Sequence, residues 1–174
     1  QLQAVVDRAL NIANALPKGP VYLTLPREVL AAEISDFTFA PAAQQADATV
    51  PYPDLNVIDA LADILAAAEK PVIVTSQAGN IPEAVTALAD LAERFAIPIT
   101  QYRPRTMNLP TAHPMHLGYD PGPWIAEADV ILAVECEVPW IPRLQKPGPE
   151  CRIAHMAADP LYSDAPHRGF RADF

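Results

Sequence analysis

The sequence contains few of the residues from which nucleotide, metal and redox sites are usually built. It has 6 glycines and 2 cysteines in 174 residues, and no GxGxxG, Walker A, HExxH, GxSxG or CxxC pattern occurs. His113 and His116 are three residues apart but have no further ligands at metal spacing. We therefore expect no zinc site and no nucleophile–base pair, and we expect Cys136 and Cys151 to be reduced thiols.

Basic residues and long apolar runs are also scarce. There are 12 Lys and Arg against 21 Asp and Glu, a net charge of −9, and such a chain is a poor partner for nucleic-acid phosphates. No apolar run reaches the roughly 18–20 residues of a membrane span, and no basic-then-apolar leader opens the sequence. We expect a cytoplasmic protein that binds neither nucleic acid nor membrane.

The sequence does contain hydrophobic residues at regular spacing, in segments that end at prolines. Hydrophobic residues at helical spacing predict a helix over residues 2–16, which Pro17 ends, and residues 21–25 are predicted to form a short buried strand. Residues 33–53 lose the periodicity and are rich in Ala, Gln and Pro, which indicates a linker. Residues 1–32 are too short for a domain and would be an isolated helix–strand arm.

From residue 54 onward, helices and strands are predicted to alternate. Asp54 is the predicted N-cap of the first helix, and continuous apolar segments predict strands that are buried on both faces. The predicted strands are 71–76, 97–100, 129–134 and 152–157, and the predicted helices are 57–68, 82–95 and 125–128. This order is typical of an α/β fold with a doubly wound, Rossmann-like parallel sheet.

Ligands of a doubly wound sheet bind beyond the carboxyl ends of its strands. Gly79 and Asn80 follow the first strand and are candidates for a nucleotide site, although one glycine suits an ordinary turn better. Arg103 and Arg105 follow the second strand and could clamp a phosphate or carboxylate, or pair with acids or a neighbouring domain. Asp159 follows the fourth strand and could bind a ribose hydroxyl or start a turn.

The segment after the third strand is acidic and contains no recognisable catalytic set. Glu135 and Glu137 are expected on one side of an extended chain with no partner. The acidic surroundings should raise the pKa of Cys136, which disfavours a nucleophile. Trp140 is either a packing anchor or an interdomain contact, and His155 is a core or interface histidine.

Several segments, taken together, resemble thiamine-diphosphate enzymes of the acetolactate synthase group. Residues 17–30, PKGPVYLTLPREVL, resemble the end of that family's N-terminal pyrimidine-binding domain. The segments KPVIV at 70–74, LADLAERFAIPI at 88–99, ADVIL at 128–132 and HMAADP at 155–160 resemble its central domain. The resemblance covers nearly the whole chain.

The resemblance implies a piece of a larger enzyme, which the opening at Gln1 inside a helix also suggests. Residues 1–32 would be the C-terminal end of a truncated N-terminal domain, 33–53 the linker, and 54–174 a central domain with a sheet of about six strands. Thiamine diphosphate and Mg²⁺ would bind to the flanking domains, which carry the activating glutamate and the Gly-Asp-Gly motif. The parent enzyme would act on 2-oxo acids as a homodimer or homotetramer, and this chain alone would be inactive.

Some members of the family hold FAD, ADP or CoA in the central domain. In this sequence a single glycine, Gly79, stands in the first turn, the segment from Glu135 to Trp140 is acidic, and Ala157 replaces one of two expected aspartates. The resemblance therefore implies that the domain does not bind FAD tightly and is a spacer and assembly element with a vestigial nucleotide site. The alternative is a free-standing nucleotide- or flavin-binding α/β module.

Overall fold

The computed structural model describes residues 2–38 and 52–174. The chain divides into two compact units, Gln1–Tyr52 and Pro53–Phe174. Most of the predicted linker, residues 39–51, lies outside the described residues. None of the helices in the described ranges is long and apolar enough to cross a membrane.

Residues 2–38 of the first unit contain two helices. Helix α1 spans Leu2–Asn14, which confirms the predicted helix, and the short helix α2 spans Arg27–Leu30. The strand predicted at residues 21–25 is wrong, because these residues are exposed and have no regular structure. A strand is stable only when it is paired, and the described part of this unit offers no second strand to pair with it.

The second unit alternates helices and strands as predicted. Its elements are α3 Leu55–Ala67, β1 Pro71–Thr75, a single 3₁₀ turn Ala78–Asn80, α4 Pro82–Phe95, β2 Ile99–Gln101, α5 Gly122–Ile125, β3 Val130–Val134 and β4 Arg152–Met156. All four predicted strands are confirmed. Helix α5 begins earlier than the predicted 125–128, because the chain turns into it at Pro121.

The helix ends follow local sequence chemistry. The side chain of Asp54 accepts a hydrogen bond from the backbone N–H of Asn56 at 2.9 Å, which confirms it as the N-cap of α3. Pro82 stands in the first turn of α4, where its missing N–H costs nothing. Ala96 ends α4 in the left-handed conformation, with φ at 52°.

The strands form one parallel sheet in the order β2-β1-β3-β4. In the described residues the sheet therefore has four strands, not the six or so that the resemblance implied. In the sheet, β2 lies on one side of β1 and β3 lies on the other. The strand order thus reverses between β1 and β3, and the carboxyl ends of these two strands are where a doubly wound sheet binds ligands.

Other segments of the chain cover both edges of the sheet. Residues 115–118 run along β2, with two backbone hydrogen bonds of 2.8 Å to Ile99. Residues 173–174 lie along β4, bonding to Ile153 at 2.7 Å and to His155 at 3.1 Å. Because their N–H and C=O groups are already paired, these edges are poor templates for another strand.

Two apolar clusters enclose the sheet, one on each face. The first contains Leu61, Ile73, Ala78, Leu88, Ala92, Ile97, Ile99, Leu109, Leu132 and Ala154. The second contains Val72, Val74, Ile125, Ala128, Ile131, Ala133, Cys136, Trp140, Cys151 and Ile153. Neighbouring residues of β1 enter opposite clusters, which is why Val72, Ile73 and Val74 are all apolar and do not alternate with polar residues.

Candidate functional site

A small cavity lies at the switch point, where the carboxyl ends of β1, β2 and β3 meet. Its volume is about 70 Å³, whereas pockets that take drug-sized ligands measure roughly 300–1,000 Å³. The lining residues are Ser76, Gln77, Tyr102, Arg103, Arg105, Cys136, Glu137 and Val138. Two of the five predicted ligand residues, Arg103 and Arg105, therefore line the cavity, and Gly79, Asn80 and Asp159 do not.

The turn after β1 is in contact with the loop that follows β2. The backbone N–H of Gly79 donates to Oδ1 of Asn108 at 3.1 Å. A Cβ atom at Gly79 would collide with the carbonyl oxygen of Met107 and lie 3.0 Å from the carbonyl carbon. The single glycine of this turn therefore permits close packing of two backbones, and its N–H is already bonded. Asn80 ends the turn and is exposed.

Asn108 is a buried polar residue beside the candidate site that was not among the residues predicted from the sequence. It is completely buried, and its Nδ2 donates to the carbonyl oxygens of Ser76 at 3.0 Å and of Thr106 at 2.9 Å. Its backbone N–H donates to Oε1 of Gln101 at 3.1 Å, and Nε2 of Gln101 donates to the carbonyl of Leu109 at 2.8 Å. An asparagine in a proline-rich segment indicates a turn, so no sequence signal distinguishes this one.

The two predicted arginines have different partners. Nη2 of Arg105 lies 3.5 Å from Oε2 of Glu137, and the backbone N–H of Arg105 donates to the carbonyl of Ser76 at 2.8 Å. The guanidinium of Arg103 lies 5.3 Å from the centre of the Tyr102 ring. Arg105 thus pairs with an acid, which is one of the alternatives predicted for the two arginines. Because the Arg105–Glu137 ion pair is exposed, it contributes little to stability.

Both acidic residues after β3 have partners, contrary to the prediction. Oε1 of Glu135 accepts a hydrogen bond from the backbone N–H of Ala158 at 2.7 Å, and Glu137 pairs with Arg105. Burial raises the pKa of Glu135. Its φ of 45° lies in the left-handed region, which a non-glycine residue seldom adopts. The strained backbone turns the carboxylate of Glu135 toward the segment after β4, where it anchors that segment.

Cys136 and Cys151 are both free and buried. Burial raises the pKa of the Cys136 thiol to about 12, and Arg168 partly opposes that rise. The predicted direction is thus confirmed, but the cause is different, because loss of solvent outweighs the adjacent Glu137 carboxylate. Burial likewise raises the pKa of Cys151 to about 11. Neither thiol is a thiolate near neutral pH, so neither is a ready nucleophile.

Asp159 caps a turn of its own. Its Oδ2 accepts from the backbone N–H and the hydroxyl of Ser163 at 2.7 and 2.6 Å, and its Oδ1 accepts from the N–H of Leu161 at 3.1 Å. These hydrogen bonds lower the pKa of Asp159, with the Ser163 hydroxyl contributing most. All of its contacts are local, so the geometry favours the turn over a ribose ligand.

His155 lies in β4 and is held by the segment that follows the strand. Its Nδ1 is 2.8 Å from Nη2 of Arg168, and its Nε2 is 3.2 Å from the carbonyl oxygen of Arg171. Arginine can only donate, so the hydrogen-bond network assigns the proton to Nε2 and a neutral ring. Arg168 also donates through Nε to the carbonyl of Glu137 at 3.2 Å and stacks over Tyr162. Arg168 therefore ties the end of the chain to the residues after β3.

We predict that this neutral histidine makes the protein less stable in mild acid. Burial, assisted by Arg168, lowers the pKa of His155 from its ordinary 6.5. The unfolded state then binds more protons than the folded state, so stability is complete above about pH 6.5 and falls as the pH drops toward the folded pKa. Urea unfolding at about pH 8 and about pH 5.5 would measure this loss.

The control for this prediction compares two histidines. His155→Gln should reduce the difference in the free energy of unfolding between about pH 8 and about pH 5.5. His167→Gln, at an exposed position, should leave that difference as in the native chain. An unchanged difference in His155→Gln would show that other groups cause the loss of stability in acid.

Comparisons with known proteins agree on one family. The sequence profile described as "Thiamine pyrophosphate enzyme, central domain" matches residues 58–165. A "Probable 2-ketoarginine decarboxylase" of Pseudomonas aeruginosa is 32% identical over 163 residues, which are 88% of this chain and 28% of the relative. The acetolactate synthase isozyme 1 large subunit of Escherichia coli is 30% identical over 118 residues, which are 68% of this chain and 20% of the relative.

The fold is also found among solved structures. An enzyme from Mycobacterium smegmatis, whose thiamin diphosphate dependence is inferred, superposes with a TM-score of 0.73 at 24% identity, over 92% of this chain and 32% of its own. At this identity the likeness is one of fold. The chain spans less than a third of the length of each of these proteins.

Proposed function

Because the chain belongs to the thiamine pyrophosphate enzyme family and contains that family's central domain, we propose that it is the middle part of a thiamine-diphosphate-dependent enzyme acting on 2-oxo acids. The observation that carries the proposal is the match of residues 58–165 to the central domain, on a parallel sheet with the strand order β2-β1-β3-β4. The similarity to a protein named a 2-ketoarginine decarboxylase and to an acetolactate synthase supports 2-oxo acids as the substrate class.

The described residues do not fit a thiamine diphosphate site. Within residues 2–38 and 52–174, no group of three or more His, Cys, Asp and Glu side chains could hold the magnesium ion. The switch-point cavity, at about 70 Å³, is also too small for the cofactor. We propose that the cofactor binds to flanking domains of the same protein, and that the parent enzyme is a homodimer or homotetramer.

The first unit supports the proposal of an upstream domain. Many of its large apolar side chains are exposed, and the tyrosine of its extended segment, Tyr22, is 92% exposed. Leu2, Leu10, Ile12, Val29, Leu30 and Ile34 are also exposed. Apolar surface of this extent is normally covered by a partner. We propose that the missing part of an N-terminal domain covers it, with residues 1–32 as the end of that domain.

The second unit has the features of a spacer. Its sheet is buried on both faces and covered at both edges, and its switch-point turn is closed by the loop after β2. The vestigial nucleotide site that we propose would have Arg103 and Arg105 at the cavity and Gly79 and Asn80 in the closed turn, whereas Asp159 caps a turn of its own. A free-standing nucleotide- or flavin-binding module is the alternative, and it requires an open turn at this place.

The test of this function is the release of CO₂ from 2-oxo acids. The full-length protein, supplied with thiamine diphosphate and Mg²⁺, should decarboxylate at least one member of a panel that includes pyruvate, 2-ketoarginine and benzoylformate. Protein treated with EDTA and freed of cofactor is the control and should be inactive. The 174-residue chain should be inactive under all conditions, because it lacks a cofactor site among its described residues.

Two results would contradict the proposal. Turnover by the 174-residue chain alone would place the chemistry in this domain. A full-length protein that binds thiamine diphosphate but releases no CO₂ and forms no carbon–carbon bond with any 2-oxo acid would exclude the substrate class.

A further inference from the structure

We propose that Asn108 fills the place at the carboxyl end of β1 where a doubly wound sheet would bind the phosphate of a nucleotide. Its carboxamide oxygen accepts the hydrogen bond that the phosphate would accept, and we call Asn108 in this role the plug. The inference rests on the proposed function, because it explains how a central domain of this topology could order its switch point with its own side chains. Asn108 would then be the residue that decides which ligands this site excludes.

The hydrogen-bond donors around Oδ1 of Asn108 are arranged as they would be around the oxygen of a bound anion. A turn that cradles phosphate presents backbone N–H groups and small hydroxyls to one oxygen. Here Oδ1 of Asn108 accepts the N–H of Gly79 and the hydroxyl of Thr106, each at 3.1 Å. Both donors converge on one buried oxygen, and that oxygen belongs to the protein itself.

The other end of the carboxamide makes the site unsuitable for an anion. Nδ2 of Asn108 donates to the carbonyl oxygens of Ser76 and Thr106. A phosphate ion would offer oxygen atoms to these carbonyls, so the Thr106 carbonyl would lose its amide donor and the Ser76 carbonyl would keep only the backbone N–H of Arg105. Each lost hydrogen bond costs free energy. A neutral amide, with a donor end and an acceptor end, is the chemistry that satisfies all of these partners at once.

Steric contact closes what remains of the crevice. The carbonyl of Met107 lies directly over Gly79, so that even a methyl group there would collide with it. The backbone of the loop over residues 102–109 therefore occupies the space in front of the turn. The cavity left between Arg103, Arg105 and Glu137 measures about 70 Å³, far less than the roughly 300–1,000 Å³ of pockets that enclose small-molecule ligands.

The plug is held by a buried network. Asn108 is completely buried, and Gln101, at the end of β2, bonds to its backbone and to the carbonyl of Leu109. Polar networks that are buried and fully paired are rigid, because opening one bond leaves groups unsatisfied away from water. The closed loop is therefore a fixed part of the fold.

Amide hydrogen exchange at Gly79, measured on the full-length protein, tests the plug directly. The Gly79 amide should be protected in the native protein and should exchange about tenfold faster in Asn108→Ala, as loss of one buried hydrogen bond implies. Asn80→Ala makes the same chemical change at an exposed position of the same turn and should leave the exchange unchanged. Calorimetric titration of the native protein with FAD or ADP at millimolar concentration should show no binding.

Two outcomes would overturn the proposal. Gly79 exchange that is as slow in Asn108→Ala as in the native protein would show that the carboxamide does not close the turn. Micromolar binding of ADP or FAD to the native protein would show that the crevice is open. If Asn108→Ala does not fold, Thr106→Val removes one donor to the same oxygen and should accelerate Gly79 exchange by a smaller factor. None of these readouts depends on decarboxylase activity, so the plug and the proposed function fail separately.

Discussion

Replacing Gly79 by alanine should destabilise the second unit by about 3 kcal/mol, the upper end of the usual cost of overpacking. The added Cβ would collide with the carbonyl oxygen of Met107 and lie 3.0 Å from its carbonyl carbon. Both are backbone atoms, and the neighbouring Asn108 holds that backbone in place through its hydrogen bonds to the turn. Relief of the collision therefore requires that the loop separates from the turn. Urea unfolding followed by circular dichroism would measure the loss.

Two other glycines serve as matched controls. A Cβ at Gly148 meets nothing within 4 Å, so Gly148→Ala should change stability little. A Cβ at Gly122 would meet the end of the Gln145 side chain, which can rotate away, so Gly122→Ala should cost less than Gly79→Ala. If all three substitutions had equal effects, the closed contact between Gly79 and the loop would not exist in solution.

Truncation of Trp140 to alanine should destabilise the protein by about 3–5 kcal/mol. Trp140 is only 4% exposed and belongs to the apolar cluster on one face of the sheet. Its ring meets Phe170 edge to face, with the ring centres 5.2 Å apart, an arrangement that adds to the area it buries. Alanine would leave a cavity between β4 and the segment that carries Phe170. Thermal and urea unfolding of the variant would show the loss.

The chain's other tryptophan provides the comparison. Trp124 lies in α5 and is 43% exposed, so Trp124→Ala should cost much less than Trp140→Ala. Similar losses at the two positions would mean that Trp140 is not a core residue. The result also separates the two sequence interpretations of Trp140, because a pure interdomain contact would not destabilise the isolated second unit.

Much of the fold was predictable because local patterns and burial agree. Strands β1 and β3 are almost entirely apolar, as a sheet covered on both faces requires. Asp54 and Pro82 mark helix starts by their own chemistry. The prediction failed at residues 21–25. An apolar run between prolines has the composition of a strand, but pairing depends on a neighbour that the described residues do not supply.

The position of the candidate site in the sheet was predictable from the sequence, but the side chains and hydrogen bonds found there were not. Strand alternation placed Gly79 and Arg105 beyond the carboxyl ends of β1 and β2, and the structure confirms that position. The contents depend on a loop that leaves β2 and returns to β1, bringing Asn108 to within 3.1 Å of the N–H of Gly79. Residues 29 positions apart in sequence meet there, and no local spacing indicates such a contact.

The sequence by itself determined the class of fold and the order of the elements in the second unit, because these follow from periodicity and turn chemistry. The resemblance of several short segments, taken together, indicated the family. Only the tertiary structure decided whether the turn at the switch point is open or closed. Whether a turn is open to phosphate or closed by an amide depends on which distant side chain satisfies its N–H groups. The same holds for Cys136, because burial raises the pKa of its thiol more than the neighbouring Glu137 carboxylate does.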